Sequence, residues 1–114
     1  MVSKNEQEVI GYLNMKDEDI VRDIQNGDCI AQDFILDKYK PLVKAKARAY
    51  FLIGADREDI IQEGMIGLYK AVRDYQPNKN SSFHGFADLC INRQIITAIK
   101  AATRQKHMPL NSYV

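Results

Sequence analysis

Apolar side chains recur at helical spacing along residues 56–75, DREDIIQEGMIGLYKAVRDY. On a helix that turns about 100° per residue, these side chains form one apolar face. That face carries Ile61, Met65, Leu68 and Val72, with Gly64 and Ala71 beside them. Asp56 precedes the pattern and is a residue type that caps helices. The sequence therefore predicts a capped helix here, with one face in a hydrophobic core.

The opposite face of this helix is polar and surrounds a large apolar side chain. It carries Asp59, Gln62, Glu63, Lys70 and Arg73, with Ile66 among them. An apolar residue inside a polar rim is typical of a protein contact patch. Gly64 and Gly67 each cost an exposed helix about 1 kcal/mol relative to alanine. A helix that keeps both is predicted to have another element packed closely against its backbone.

Capping and breaking residues divide the chain before this helix. Asp17 is predicted to cap a short helix that runs to Asn26 and stops at Gly27. Asp28 is predicted to cap the next helix. Pro41 is predicted to break or kink that helix, and it can itself sit in the first turn of a continuing one.

A further boundary lies at residues 76–81, QPNKNS, whose proline and asparagines predict a loop. Ser81 or Ser82 is predicted to cap a last helix that runs over residues 83–105. Pro109 is predicted to end any continuation of it.

The whole chain has the composition of a helical protein. No run of alternating β-branched residues is bounded by turns, so strands are not expected. The sequence predicts an all-α fold, a compact bundle of four to five helices whose long C-terminal helix is basic. We expect residues 1–15 to be a flexible N-terminus and residues 16–114 to form one helical domain. A chain of 114 residues can bury a working core without disulfides or metal.

The predicted last helix also has two faces. Its core stripe comprises Ile91, Ile95, Ala98, Ile99 and Ala102. The opposite side carries Phe86, Arg93, Thr97, Lys100 and Arg104, with Phe83 and Gln94 toward its edge. Cations bind phosphates, aromatic rings stack on open bases at about 1–3 kcal/mol each, and amides or hydroxyls read base edges. From spacing alone, a nucleic-acid surface and an ordinary division into core and solvated face are equally open.

Charge is segregated along the chain, although its net value is only +1. Residues 1–30 hold 3 basic and 7 acidic side chains, whereas residues 79–114 hold 5 and 1. Residues 31–55 hold 5 and 2, and residues 56–78 hold 3 and 5. Such a chain can present a basic face to nucleic acid and an acidic face to a basic partner. The alternative is that these charges are only solvated helix surfaces.

Other features narrow the class of protein. Cys29 and Cys90 belong to no metal-binding spacing and are expected to be reduced thiols of a cytoplasmic protein. No apolar run approaches the roughly 20 residues of a membrane span, and the N-terminus lacks the features of a signal peptide. No nucleophile–base pair, metal cluster or phosphate loop is present in the sequence. We expect no enzymatic activity, no cofactor, no metal and no membrane partner.

Three strings resemble one family. DREDIIQEGMIGLYKAV, residues 56–72, resembles conserved region 2.2 of bacterial RNA polymerase sigma factors of the sigma-70 family. FHGFA, residues 83–87, and RQIIT, residues 93–97, resemble the promoter-opening and promoter-reading regions of that family. Over residues 38–114 the chain most resembles the sigma-H subfamily. That subfamily serves the transition to stationary phase and sporulation in spore-forming Gram-positive bacteria.

The resemblance implies two partners for the chain, core RNA polymerase and promoter DNA. In the family, the region 2.2 helix docks on the coiled coil of the polymerase β′ subunit. The positions that match its contact residues are Asp59, Gln62, Glu63, Met65 and Tyr69. Ile66 joins this predicted polymerase-binding set because of its polar rim. In the helical projection, Met65 and Tyr69 lie toward the core side.

For DNA, the resemblance implies that the last helix opens and reads the −10 promoter element. Phe83 and Phe86 would take part in melting and would hold bases of the non-template strand. Gln94 and Thr97 match the pair that reads the upstream edge of the element, and Arg93 precedes them. The cations expected to hold the DNA backbone are Lys100, Arg104 and Lys106.

The resemblance implies a sigma-factor domain of region 2 type that is a monomer when free. The family continues into a C-terminal domain that reads the −35 element, and we expect that domain to be absent from these 114 residues. Two other readings are compatible with the residues. One is a stand-alone helical module that binds duplex DNA, and the other is a regulator that binds only protein. Tight polymerase binding with negligible duplex affinity would argue against the duplex-binding module.

Overall fold

The computed structural model describes residues 3–50, 56–79 and 82–111, without the side chains of residues 5 and 103–111. Within these ranges the chain forms five α-helices and no strand. They are α1 (Lys4–Leu13), α2 (Asp17–Gln25), α3 (Cys29–Tyr50), α4 (Arg57–Asp74) and α5 (Phe83–Asn111). The predicted all-α fold with a long C-terminal helix is confirmed.

The core lies where α3, α4 and α5 meet. α5 packs along α4, α4 packs on α3, and α1 and α2 cover α3. The largest fully buried side chains are Phe83, Ile20, Ile35, Leu68, Ile91, Ile95, Val21 and Val43. Burial of each such side chain contributes about 1.5–3 kcal/mol relative to its exposure, so this cluster is the main source of stability.

Three of the predicted caps are confirmed. The Asp28 carboxylate accepts two N–H bonds of the first turn of α3, both at 3.0 Å. Asp56 accepts two at the start of α4, at 2.9 and 3.4 Å, and the Ser82 hydroxyl accepts one in α5 at 3.0 Å. At the end of α2, Gly27 has φ of 105°, a backbone conformation that glycine adopts at little cost.

The predicted cap at Asp17 is wrong by one residue. The N-cap of α2 is Lys16, which makes no side-chain capping bond, and Asp17 is the first helical residue. Its carboxylate instead accepts hydrogen bonds from the Tyr39 hydroxyl and, at 2.5 Å, from the Lys38 ammonium group. The Asp17 carboxylate therefore binds side chains of α3 instead of capping the N-terminus of α2.

Of the two outcomes predicted at Pro41, the break is wrong, because α3 is one helix of 22 residues with Pro41 inside it, and the kink stays a prediction. A proline removes one backbone donor, here the partner of the Asp37 carbonyl. Both residues are exposed, so water can satisfy that carbonyl. Similarly, α5 extends through Pro109 to Asn111 instead of ending near residue 105.

Two predicted non-helical segments remain to be compared with the structure, the loop at residues 76–81 and the N-terminus. Residues 76–79 are not helical, and the Lys79 N–H donates to the Gln76 carbonyl at 3.0 Å, so the predicted loop is confirmed over these residues. Residues 80 and 81 lie outside the described ranges. The segment predicted to be a flexible N-terminus contains α1, whose Tyr12 is buried against the core.

Candidate protein and nucleic-acid interface

The two glycines of α4 are points of close approach to neighbouring helices. A Cβ atom on Gly67 would lie 2.7 Å from the Cys90 carbonyl oxygen and 2.9 Å from Ile91 Cα of α5. A Cβ atom on Gly64 would lie 2.6 Å from Val43 Cγ1 of α3. Ordinary carbon contacts are about 3.5–4.0 Å, so neither site has room for a side chain. The close packing predicted from these glycines is confirmed.

This packing turns the buried face of α4 toward α3 and α5. The buried residues of the helix are Ile60, Ile61, Gly64, Gly67, Leu68, Ala71 and Val72. Met65 is only partly buried, and Tyr69 is 51% exposed. The projection placed Tyr69 toward the core, and this is wrong because the small Gly67 surface, not the Tyr69 side, receives α5.

The outward face of α4 therefore carries the predicted polymerase-binding set. The side chains of Asp59 and Gln62 are exposed, and Ile66 is 44% exposed between them and Tyr69. Glu63 and Met65 are partly buried at the two borders of this face. Beyond Tyr69, a shallow groove opens between α2, α3 and α4, and it is lined by Ile24, Gln25, Gln32, Tyr69, Val72 and Arg73.

Phe83 lies in the core and not on the surface of α5. Its side chain is 0% exposed and makes edge-to-face contacts with Tyr39 and Tyr75, at centroid distances of 5.3 and 5.5 Å. Its N–H donates to the Glu18 carboxylate at 2.8 Å. The expected position of Phe83 at the edge of the basic face is therefore corrected, because an aromatic cluster at the start of α5 encloses the ring.

The remaining predicted DNA contacts follow the outer face of α5. Phe86 is partly buried against Tyr75, with a centroid distance of 5.8 Å, and keeps some exposed surface. Arg93, Thr97 and Lys100 are exposed. Leu89 and Ile96 are exposed as well, at 44% and 38%. The side chains of Arg104 and Lys106 lie outside the described part of the structure.

Gln94 joins the two helices through its side-chain amide. The amide nitrogen donates to Glu63 Oε1 at 2.9 Å, and the amide oxygen accepts from the Lys70 ammonium group at 2.9 Å. The sequence did not reveal the role of Lys70, because periodicity places it only on a polar face. Only its seven-residue spacing from Glu63, two helical turns, hinted that both could reach one partner.

The described residues show no other kind of site. Among them, no group of three or more His, Cys, Asp or Glu side chains is placed to hold a metal ion. No described helix is long and apolar enough to cross a membrane. Cys29 is exposed and Cys90 is partly buried, and burial raises the pKa of the Cys90 thiol, which favours its protonated form.

Comparison with known proteins identifies the family of this chain. Residues 35–105 match the family model described as Sigma-70 region 2, and the chain belongs to that family. The match covers most of α3, all of α4 and most of α5, and it includes every candidate interface residue except Lys106.

The chain is also similar to individual sigma factors. The RNA polymerase sigma-H factor of Bacillus licheniformis is 61% identical over 103 residues, which cover 90% of this chain and 46% of that protein. The RNA polymerase sigma-H factor of Bacillus subtilis (strain 168) is 61% identical over 102 residues, covering 90% and 47%. The RNA polymerase sigma-B factor of Bacillus anthracis is 35% identical over 100 residues, covering 84% and 39%. The chain thus spans about half the length of the sigma-H factors that it matches.

Proposed function

We propose that this chain is the part of a sigma factor that binds core RNA polymerase and recognises and melts the −10 promoter element. The genes served would be those of stationary phase and sporulation, in keeping with the sigma-H relatives. The chain would act in the cytoplasm as a non-catalytic initiation factor and would be a monomer when free. The observation that carries the proposal is a pair of helices within the matched family region, closely packed at Gly67, that expose chemically different faces.

The face of α4 supports docking on another protein. Ile66 and Tyr69 are large, exposed and neighbouring, and Asp59 and Gln62 provide polar groups around them. Aromatic and apolar anchors within a polar rim supply most of the binding energy in protein interfaces. The partner proposed for this face is the coiled coil of the β′ subunit, with Glu63 and Met65 at the borders of the contact.

The face of α5 supports contact with opened DNA. Arg93 and Lys100 are exposed cations on α5. Two more cations, Arg104 and Lys106, follow Lys100 in the same helix. Cations of this kind hold phosphates without reading sequence. Flipping a base from a duplex costs a few kcal/mol, so the open strand must gain contacts elsewhere. We assign that role to the exposed part of Phe86, and we leave the buried Phe83 out of the surface.

Binding to core polymerase tests the first half of the proposal. The chain is titrated onto purified bacterial core polymerase, and the complex is then titrated with −10 DNA as non-template single strand and as duplex. We expect binding to core, followed by a preference for the single strand. Failure to bind core would overturn the proposal, and preference for duplex would favour a stand-alone duplex-binding module.

A further inference from the structure

Three residues of α4 form a cradle for the Gln94 side chain. Glu63, Gly67 and Lys70 follow one another at intervals of four and three residues, so they lie along one edge of the helix. A Cβ atom on Gly67 would lie 2.9 Å from Gln94 Cβ. The stem of Gln94 therefore crosses α4 at Gly67, with Glu63 one turn before it and Lys70 one turn after it.

The cradle fixes which way the amide of Gln94 points. Its NH₂ group donates to the Glu63 carboxylate, and its oxygen accepts from the Lys70 ammonium group, each at 2.9 Å. A carboxylate only accepts and an ammonium group only donates. Reversing the amide would set acceptor against acceptor and donor against donor. The two charges thus select one of the two orientations that an unsupported amide adopts.

One donor and one acceptor of the amide remain for a ligand. A glutamine amide has two N–H groups and two oxygen lone pairs, and the cradle uses one of each. The remaining pair matches a base edge with one donor and one acceptor, as adenine has at N6 and N7. Guanine presents two acceptors there and does not match. With the amide fixed, the donor and the acceptor reach the DNA in one order only.

We infer that Lys70, together with Glu63, is a positioning residue that sets the base preference of Gln94. This inference rests on the proposed function, since it requires that Gln94 meets promoter DNA. Lys70 itself acts through Gln94 and not on the base. It therefore controls discrimination between base pairs at one position, and it leaves overall affinity to the other cations of the surface.

A purely structural tie between the helices is the competing explanation for these bonds. Lys70 is exposed, and exposed ionic contacts contribute little to stability. The close approach at Gly67 already holds the two helices together. A structural tie would change the unfolding temperature, whereas a positioning residue changes the ratio of affinities for different bases. This ratio is the quantity to measure.

The test uses Lys70→Met in complex with core polymerase. Methionine keeps much of the apolar stem and removes the donor and the charge. Affinity is measured for −10 probes that carry each base pair in turn at every position of the upstream edge. We expect the preference at one position to fall about fivefold to tenfold, within the range for losing a bidentate contact. Affinity for core and the preferences at other positions stay unchanged.

Two further variants separate the outcomes. Arg73→Met removes a cation one turn further along α4, where Arg73 pairs with Asp74 and not with Gln94, and should leave the preference intact. Gln94→Ala should abolish the preference, and adding Lys70→Met to it should change nothing more. If Gln94→Ala loses the preference and Lys70→Met keeps it, the positioning role is overturned while the proposed function stands. If Gln94→Ala keeps the preference, or the wild-type chain does not bind core, the assignment of Gln94 fails as well.

Discussion

Carboxylates of the N-terminal helices and carboxylates of α4 have different surroundings. In the N-terminal part, Asp17, Glu18 and Asp28 accept hydrogen bonds from groups on other elements or on a helix end. Their donors are Lys38 and Tyr39, the Phe83 N–H, and Tyr12 with the first turn of α3. On α4, Asp59 is exposed, and Glu63 accepts a hydrogen bond from Gln94 of α5 at the border of the face.

This difference separates acids that hold the fold from Asp59, whose exposed carboxylate is left for a partner. The excess of acidic residues in residues 1–30 is therefore not simply an acidic docking surface, because three of the seven acids accept hydrogen bonds from other elements and a fourth, Asp19, pairs with Arg22. The side chains of α4 can serve a partner without cost to the fold, since the helix is held by its glycines and its apolar face. Substitutions in the two regions should therefore affect different measurements.

The largest effect should come from Gly67→Ala, which tests what holds α4 to α5. The new methyl group would meet backbone atoms of α5 at 2.7 and 2.9 Å, and a helix backbone cannot move aside like a side chain. We expect the free energy of unfolding to fall by about 3 kcal/mol, despite the better helix propensity of alanine. Urea denaturation followed by circular dichroism measures this loss.

Gly11→Ala is the matched control for this substitution. Gly11 also lies inside a helix, but a Cβ atom there would have no neighbour within 4 Å. Alanine should raise stability by about 0.5–1 kcal/mol at this position. Equal effects of the two substitutions would show that helix propensity, and not close packing, decides the cost at Gly67.

The next largest effect should come from Asp28→Ala. This change removes the cap of α3 and the acceptor of the Tyr12 hydroxyl. Loss of a cap costs about 1 kcal/mol, and a tyrosine hydroxyl left without its partner adds a similar amount. We expect the free energy of unfolding, measured by urea denaturation, to fall by about 2 kcal/mol.

Gln62→Ala, on the exposed face of α4, is the control, and its free energy of unfolding should stay within about 0.5 kcal/mol of the wild type. A similar loss in both variants would remove the distinction between the two regions.

The sequence predicted three helix caps correctly, but it was wrong about the helix ends at two prolines and about several contacts between helices. The caps at Asp28, Asp56 and Ser82 depend on neighbouring residues, and all three are as predicted. Asp17 was assigned wrongly because its partners are more than twenty residues away on α3. A helical projection shows which side chains share a face of one helix, but not which other helix packs against that face.

The same limit explains the outcome at the candidate site. Helical spacing predicted most of the exposed and buried faces of α4. Gly64 and Gly67 correctly predicted that another helix packs closely against it. The exposure of Tyr69, the burial of Phe83 and the link from Glu63 through Gln94 to Lys70 all depend on how α5 crosses α4. That crossing is a property of two helices together and cannot be derived from either alone.

The proposed division of labour between α4 and α5 gives a third prediction. Gln62→Ala should weaken binding to core polymerase by about tenfold, since a well-placed interface side chain contributes about 1–2 kcal/mol. It should leave base preference unchanged. Thr97→Val removes a hydroxyl at nearly constant volume and should alter base preference at one −10 position by about fivefold. Neither residue belongs to the link through Gln94, so both effects in either variant would contradict the division.

The smallest effect is expected from Tyr12→Phe, which removes one hydrogen bond between α1 and Asp28. The hydroxyl donates to the carboxylate at 2.5 Å. This bond raises the pKa of Tyr12 from 10.0 to about 12, and it lowers the pKa of Asp28 below its ordinary value of 3.8. We expect Tyr12→Phe to lower the free energy of unfolding by about 1 kcal/mol at pH 7, measured by urea denaturation.

The dependence of this difference on pH identifies its source. Because folding raises the Tyr12 pKa, its contribution is complete below about pH 10 and is lost as the pH rises toward 12. Because folding lowers the Asp28 pKa, its contribution is complete above the ordinary value and is lost as the pH falls through the lower one. The wild type should therefore exceed Tyr12→Phe by a constant amount from about pH 5 to 9 and by less at pH 11 or pH 3. Tyr69→Phe, at a half-exposed ring of α4, should show no such difference. A difference for Tyr12 that persists unchanged at pH 11 would mean that the ring, and not the bonded hydroxyl, holds α1 to the bundle.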